Sequence, residues 1–337
     1  MLEPQNRRYI GNKHKIIPQI QSAVADVFAD KIFSFADIFA GTGVVGYYFA
    51  KQGHSVILND TLFSNTVIYN AWCGGGTVNA SKIAEILADF NALDMSTLKN
   101  NYFSEVYGGK YYSENMAKTI GYIRNRIDEL RSDLTEREYH ILLTSLLFYA
   151  DKIANTVGHF EHYLKKPPQD YPIALKPLNL ATVGKTQIYN KDANALSKEI
   201  TADIVYIDPP YNARQYVNFY HVLENLAKWE KPTEFEGISM KFKRNHLKSG
   251  YSRAKAPQLM AELLATLQCK LIIVSYNNTY TANSQSSNNR IQEDFLVEEL
   301  AKRGKISVQE IPHKAFNTGN TKFNNHLEKL YICEVDK

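Results

Sequence analysis

The residues best suited to chemistry lie in the run Asp203-Ile204-Val205-Tyr206-Ile207-Asp208-Pro209-Pro210-Tyr211. An apolar segment of strand length leads straight into Asp208-Pro209-Pro210-Tyr211. Two prolines end strand pairing and stiffen the turn, so the Asp208 carboxylate and the Pro209 carbonyl are held in fixed directions. Both are hydrogen-bond acceptors, and Tyr211 adds a flat aromatic face. This corner suits an exocyclic amine such as that of adenine, whose lone pair is delocalised into the ring. Two acceptors on its N–H bonds orient the nitrogen and stabilise the positive charge that grows during methyl attack. Tyr211 can stack on a base drawn out of a duplex. A structural proline turn would also explain Asp-Pro-Pro alone, but not its combination with the glycine turn upstream.

That turn is Asp37-Ile38-Phe39-Ala40-Gly41-Thr42-Gly43-Val44-Val45-Gly46, a G-x-G-x-x-G pattern between an expected strand and an expected helix. Its glycines let the backbone pass close to a ligand, and Asp60, at the next strand end, can accept hydrogen bonds from ribose hydroxyls. A dinucleotide-binding dehydrogenase would show the same features. Asp37 separates the two readings. A pyrophosphate bound at this turn would be repelled by a carboxylate there. S-adenosylmethionine carries an ammonium and a sulfonium and no phosphate, so Asp37 favours it.

These side chains need a parallel sheet to position them. Residues 32–39 and 55–58 read as strands on either side of a Val44–Lys51 helix, which is a β-α-β unit. Residues 203–207, 271–275 and 330–335 are further strand-length apolar runs. The middle reads differently. Residues 114–130 and 136–156 carry apolar positions at helical spacing behind the capping residues Ser113 and Thr135. The expected fold is therefore a doubly wound, Rossmann-like α/β sheet (1–95 and 185–337) with a helical insert (96–184) for target recognition and a basic DNA-contact loop (236–256).

At its motifs the chain resembles the Dam-like, adenine-specific DNA methyltransferases. Arg8-Tyr9-Ile10-Gly11-Asn12-Lys13 is similar to their N-terminal aromatic-x-Gly-Gly-Lys element, with Asn12 in place of the second glycine. The resemblance implies that Tyr9, Gly11 and Lys13 bind the cofactor with Phe39, Gly41, Gly43 and Asp60. It implies the same for the Asp192-Ala193 pair ahead of the catalytic strand. Asp208, Pro209, Pro210 and Tyr211 match the family's catalytic motif, with Asp208 also facing the cofactor. Phe316, in a late loop, stands where such enzymes hold the flipped base. The segments 212–216, 275–278 and 150–156 look like one subgroup of restriction-modification methylases. The implied cofactor is S-adenosylmethionine. The implied partners are double-stranded DNA and a cognate restriction endonuclease.

Bulk properties limit the other classes. The chain has 337 residues, 44% hydrophobic and 22% charged, which is enough for a real core. Cys73, Cys269 and Cys333 are widely spaced, so neither a disulfide framework nor a zinc site is expected. No apolar run is long enough to span a bilayer, and the N-terminus lacks a signal-peptide core. A cytoplasmic monomer or weak dimer without a metal is expected. Net charge is only +4, but Lys241, Lys243, Arg244, Lys248, Arg253 and Lys255 face a single anion, Glu236, over a short stretch. Such a block can follow a phosphate backbone. The rival readings are N4-cytosine methylation, in which Ser usually replaces the motif's Asp, and RNA adenine methylation. Release-factor glutamine methylation would favour Asn there, and a DNA-binding protein without catalysis would not need these acids.

Overall fold

The computed structural model describes residues 1–29, 31–279, 288–312 and 327–336. In chain order the helices are α1 (Ile17–Phe28), α2 (Val44–Lys51), α3 (Phe63–Cys73), α4 (Ala80–Asn91), α5 (Tyr102–Tyr107), α6 (Glu114–Glu129), α7 (Glu136–Ile153), α8 (Ala193–Ser197), α9 (Tyr216–Lys228), α10 (Ala256–Thr266) and α11 (Glu293–Ala301). The strands are β1 (Ser34–Asp37), β2 (Ser55–Asn59), β3 (Thr186–Tyr189), β4 (Ile204–Ile207), β5 (Phe235–Glu236), β6 (Lys241–Phe242), β7 (Leu271–Asn277), β8 (Gly304–Pro312) and β9 (Leu327–Val335). They fall into two compact units.

The sheet unit comprises Gly11–Thr61, Thr182–Tyr216 and His246–Lys337. Its seven strands run in the order β3-β2-β1-β4-β7-β9-β8. The pairs among β3, β2, β1, β4 and β7 are parallel, whereas β9 is antiparallel to both β7 and β8. The central strands are apolar on both faces because helices cover both sides of such a sheet. Phe35, Ala36, Ile204, Ile207, Leu271 and Ile273 are all fully buried. Leaving β1, the chain moves outward to β2; β4 lies on β1's other side. The β1–β4 seam is thus the topological switch point, where ligands bind at the carboxyl ends of strands. The register pairs Asp37 with Tyr206. The ends of β1 and β4 therefore bring the Asp37 and Asp208 segments side by side.

The helical unit comprises Met1–Ile10, Leu62–Ala181 and Val217–Asn245. Its longest segment starts at Leu62, whereas the helical insert was expected to start at 96. The physical reason is packing: α3 lies against α7, and Tyr69 and Trp72 of α3 are buried. The first residues are tied to the same unit, since Leu2 N–H donates to Pro177 O (2.8 Å) and Arg8 N–H to Asp151 Oδ2 (3.0 Å). The expected caps form. Ser113 accepts from Met116 N–H, and Thr135 and Glu138 make a reciprocal capping box at the start of α7.

Candidate active site

Asp208 follows the end of β4, and its side chain is 16% exposed. Both carboxylate oxygens have donors. Lys13 Nζ lies 2.8 Å from Oδ2, and the Tyr211 phenol donates to Oδ1 at 2.5 Å. A second carboxylate stands beside it. Glu328, on β9, is 4% exposed and accepts from the Tyr211 and Ser275 hydroxyls, each at 2.5 Å. Lys13 Nζ is 3.5 Å from Glu328 Oε1 and donates to Gly11 O at 3.3 Å. The Lys13 ammonium also sits 5.0 Å from the centre of the Tyr211 ring, which meets Tyr276 at 4.7 Å and 57°.

The charges follow from this crowding. Burial pushes the Asp208 carboxyl up, Lys13 opposes that, and Glu328 adds to it; the result is about 6. Burial alone would lower Lys13, but Asp208 and Glu328 together hold it above an ordinary lysine. Burial, helped by the Asp208 charge, drives Asp37 well above the usual carboxylate range. Asp37 accepts from the Gly46 backbone, while its buried Oδ1 has no hydrogen-bond partner among the described residues.

The glycine turn is built on left-handed backbone. Gly41 and Gly43 have φ of 55° and 74°, left-handed values that a side chain resists. Asp60 Oδ2 accepts from Gly41 N–H at 3.0 Å, which fixes the carboxylate at the mouth of the turn. Gly46 closes the pattern for a packing reason, because a Cβ there would lie 2.2 Å from Leu58 Cδ2. Phe39 meets Tyr251 edge-on at 5.0 Å. Gly11 also has positive φ, 81°, and a Cβ there would lie 3.2 Å from the Tyr216 hydroxyl.

The sheet unit thus brings Gly11, Lys13, Asp37, Phe39, Gly41, Gly43, Asp60, Asp208, Pro209, Pro210 and Tyr211 together within one compact body, all near the ends of β1, β2 and β4. Several side chains stand in settings the sequence did not suggest. Lys13 is engaged by Asp208. The Tyr211 hydroxyl is anchored rather than free. Asp192 is exposed and caps α8, with Oδ1 accepting from Asn194 and Ala195 N–H, while Ala193 is buried beneath it. Tyr9 belongs to the helical unit, stacked on Tyr220 at 4.6 Å and 6°, with the Arg7 guanidinium 5.1 Å from both rings.

The basic stretch is not one loop. Lys241 and Lys243 sit on or beside β6, which pairs with β5 in the helical unit, whereas Lys248 and Arg253 fall in the sheet unit. Arg244 corrects the expectation of a phosphate contact. It is 6% exposed and donates to Asn218, Glu236 and the Phe242 carbonyl. Lys243 is exposed and paired with Glu234; Arg253 is exposed. Arg124 is buried with its guanidinium on the Leu226 and Ala227 carbonyls at the end of α9. Phe316 lies outside the described residues.

Glu328 and Ser275 were missed as site residues. Glu328 does leave a trace, since it alternates with Leu330 on the buried side of β9, and a carboxylate on such a face needs partners. Among the described residues no three His, Cys, Asp or Glu side chains group to hold a metal ion, and no helix is long and apolar enough to cross a membrane.

Comparison with known proteins bears directly on this geometry. The family model of D12 class N6 adenine-specific DNA methyltransferases matches residues 9–255. The modification methylase StsI of Streptococcus sanguinis is 32% identical over 96% of this chain, and the chain spans about half, 51%, of that protein's length. The type II methyltransferase M.NlaIII of Neisseria lactamica is 30% identical over 97% of this chain and 98% of its own. M.CviAII of Paramecium bursaria Chlorella virus 1 is 29% identical over 98% of both chains. Among solved structures, a SAM-dependent methyltransferase from Methanosarcina mazei has a TM-score of 0.33 at 9% identity, covering 93% of this chain and 98% of that one. With an acid-Pro-Pro-Tyr corner beside a glycine turn, and a family model matched across both, the chain belongs to the D12 class of N6 adenine-specific DNA methyltransferases.

Proposed function

We propose that this chain transfers the methyl of S-adenosylmethionine to the N6 amine of an adenine turned out of double-stranded DNA at a defined site. Its setting is a restriction–modification system, as the names of its relatives suggest, with a cognate endonuclease as partner. We place it in the cytoplasm as a monomer or weak dimer. The observation that carries the reading is the half-buried Asp208 corner at the end of the strand next to Asp37, whose buried Oδ1 has no hydrogen-bond partner among the described residues.

The residues fit S-adenosylmethionine. The buried Oδ1 of Asp37, without a hydrogen-bond partner among the described residues, is an acceptor of the kind a cofactor ammonium would satisfy. Asp60 lies at the β2 end, where ribose hydroxyls bind, and Gly41 and Gly43 let the backbone come close. Tyr9, Gly11, Phe39, Asp192 and Ala193 complete the proposed cofactor set. The bound cofactor supplies an electrophilic methyl on a sulfonium.

The chain supplies position and charge. Asp208 and the Pro209 carbonyl accept hydrogen bonds from the two amine N–H groups. This turns the nitrogen lone pair out of conjugation and places negative charge beside the developing cation. The one proton that the methylated nitrogen sheds passes by way of Asp208 to solvent. Pro210 stiffens the corner. Tyr211, fixed by its hydroxyl, offers its ring to the base, and Phe316 is proposed as a second aromatic contact. For Asp208 to serve the amine, Lys13 must release Oδ2. The helical unit is proposed to recognise the target, while Lys241, Lys243, Lys248 and Arg253 meet phosphates.

The test is methyl transfer from labelled cofactor to duplex DNA by purified protein. Asp208→Ala is expected to lower kcat by at least ~10²-fold while the cofactor dissociation constant stays nearly constant. Comparable turnover in the variant would remove Asp208 from the mechanism.

A further inference from the structure

We propose that Glu328 is a positioning residue that takes over the Lys13 ammonium when Asp208 turns to the substrate amine. The inference rests on the reading of Asp208 as the amine's acceptor.

In the structure Lys13 Nζ bridges the two acids, 2.8 Å from Asp208 Oδ2 and 3.5 Å from Glu328 Oε1. An ammonium left on Oδ2 would oppose catalysis in two ways. It draws negative charge away from the amine, and it stands close to a nitrogen that becomes positive. Sending that ammonium into a buried pocket with no anion would be costly. Glu328 removes the conflict. Its carboxylate is already within reach, and the Tyr211 and Ser275 hydroxyls already hold it in place. A turn of the lysine tip from one carboxylate to the other needs no change in the backbone.

Glu328 also lies 2.5 Å from the Tyr211 phenol oxygen, as Asp208 does, and the single phenolic proton can serve only one of the two acids at a time. The ring of the catalytic motif is thereby tied to β9. Around Asp208 the charged and titratable groups are Lys13 ahead of α1, Asp37 at the end of β1, Tyr206 on β4, Tyr211 in the turn, Tyr216 at the start of α9 and Glu328 on β9. Lys13 favours the ionised Asp208, whereas Asp37 and Glu328 oppose it.

The test variant is Glu328→Gln. It keeps an oxygen acceptor for both hydroxyls but loses the charge. In the cofactor-free protein, the carbon-13 titration of the Asp208 carboxyl should move down from about 6 by roughly one unit. In turnover, kcat should fall on the order of tenfold, with the KM for S-adenosylmethionine nearly constant. When Lys13→Met is already present, adding Glu328→Gln should cost little more, because the ammonium it would have received is gone. Equal losses in the two backgrounds, or an unmoved Asp208 midpoint, overturn the proposal. Should the wild-type protein label no DNA, the reading of Asp208 fails, and the carboxyl titration then decides the Glu328 charge effect alone.

Discussion

Asp208 is a carboxylate in competition: a lysine holds one oxygen, a tyrosine the other, and burial, with a second acid adding to it, raises its proton affinity to about 6. Only the ionised form accepts an amine N–H on either oxygen. Because its folded value lies above that of a free aspartate, the ionised form gives way as pH falls through about 6. The expected kcat/KM therefore drops on the acid side with a midpoint near that value. A profile that stays level down to about pH 5 would contradict this account of the site. At this scale the sequence was most legible where chemistry is contiguous. Asp208 through Tyr211 and Asp37 through Gly46 each form one uninterrupted run. Glu328 was not legible, because its partner Tyr211 is 117 residues away and only the fold joins them. Charge in a sequence also says nothing of burial, and Arg244, expected at a phosphate, is instead packed inside the helical unit.

Elements set these side chains in place. β1 and β4 are neighbours because the sheet reverses its winding between them, so two acids far apart in sequence end at one crevice. The glycine pattern serves the same end, since Gly46 lets α2 lie close against Leu58 of β2. In the helical unit, Glu224 of α9 is fully buried and accepts the Phe63 and Ser64 N–H groups at 2.9 and 2.8 Å, capping α3 from another helix. Glu224→Leu would strand both donors and is expected to lower the unfolding free energy by about 2–4 kcal/mol. Glu224→Gln should lose less. Urea denaturation measures both, and an unchanged midpoint for the leucine variant would refute the capping role. The helices α6 and α7 were legible from their periodicity and caps. α3 was not, because its residues are buried on most sides and so show little periodicity. β8 was missed for the opposite reason: as an edge strand it is mostly exposed and lacks an apolar run.

At the scale of the whole molecule, two units share one chain, and the boundary crosses the N-terminal motif between Ile10 and Gly11. The sequence reading expected a sheet body with one helical insert, whereas the helical unit is built from three segments of the chain. It set the helical boundary too late, because α3 and α4 follow a strand without any change in composition that marks a new unit. With a net charge of only +4, DNA affinity depends on where exposed cations lie. Arg253→Ala is expected to weaken DNA binding alike on all sequences and to reduce the slope of log K against log salt by about 0.9. Arg244→Ala should instead reduce thermal stability. If Arg244→Ala lowers the salt slope without touching stability, the assignment of these two arginines is reversed. The central claim is that the Asp208 corner presents an adenine amine to a sulfonium methyl. Its most direct test is mass spectrometry of nucleosides from duplex DNA treated with the purified protein and S-adenosylmethionine. The account predicts N6-methyldeoxyadenosine, absent when Asp208→Ala replaces the wild type. Detection of N4-methyldeoxycytidine instead, or of no methylated nucleoside from a folded protein that binds the cofactor, would contradict it.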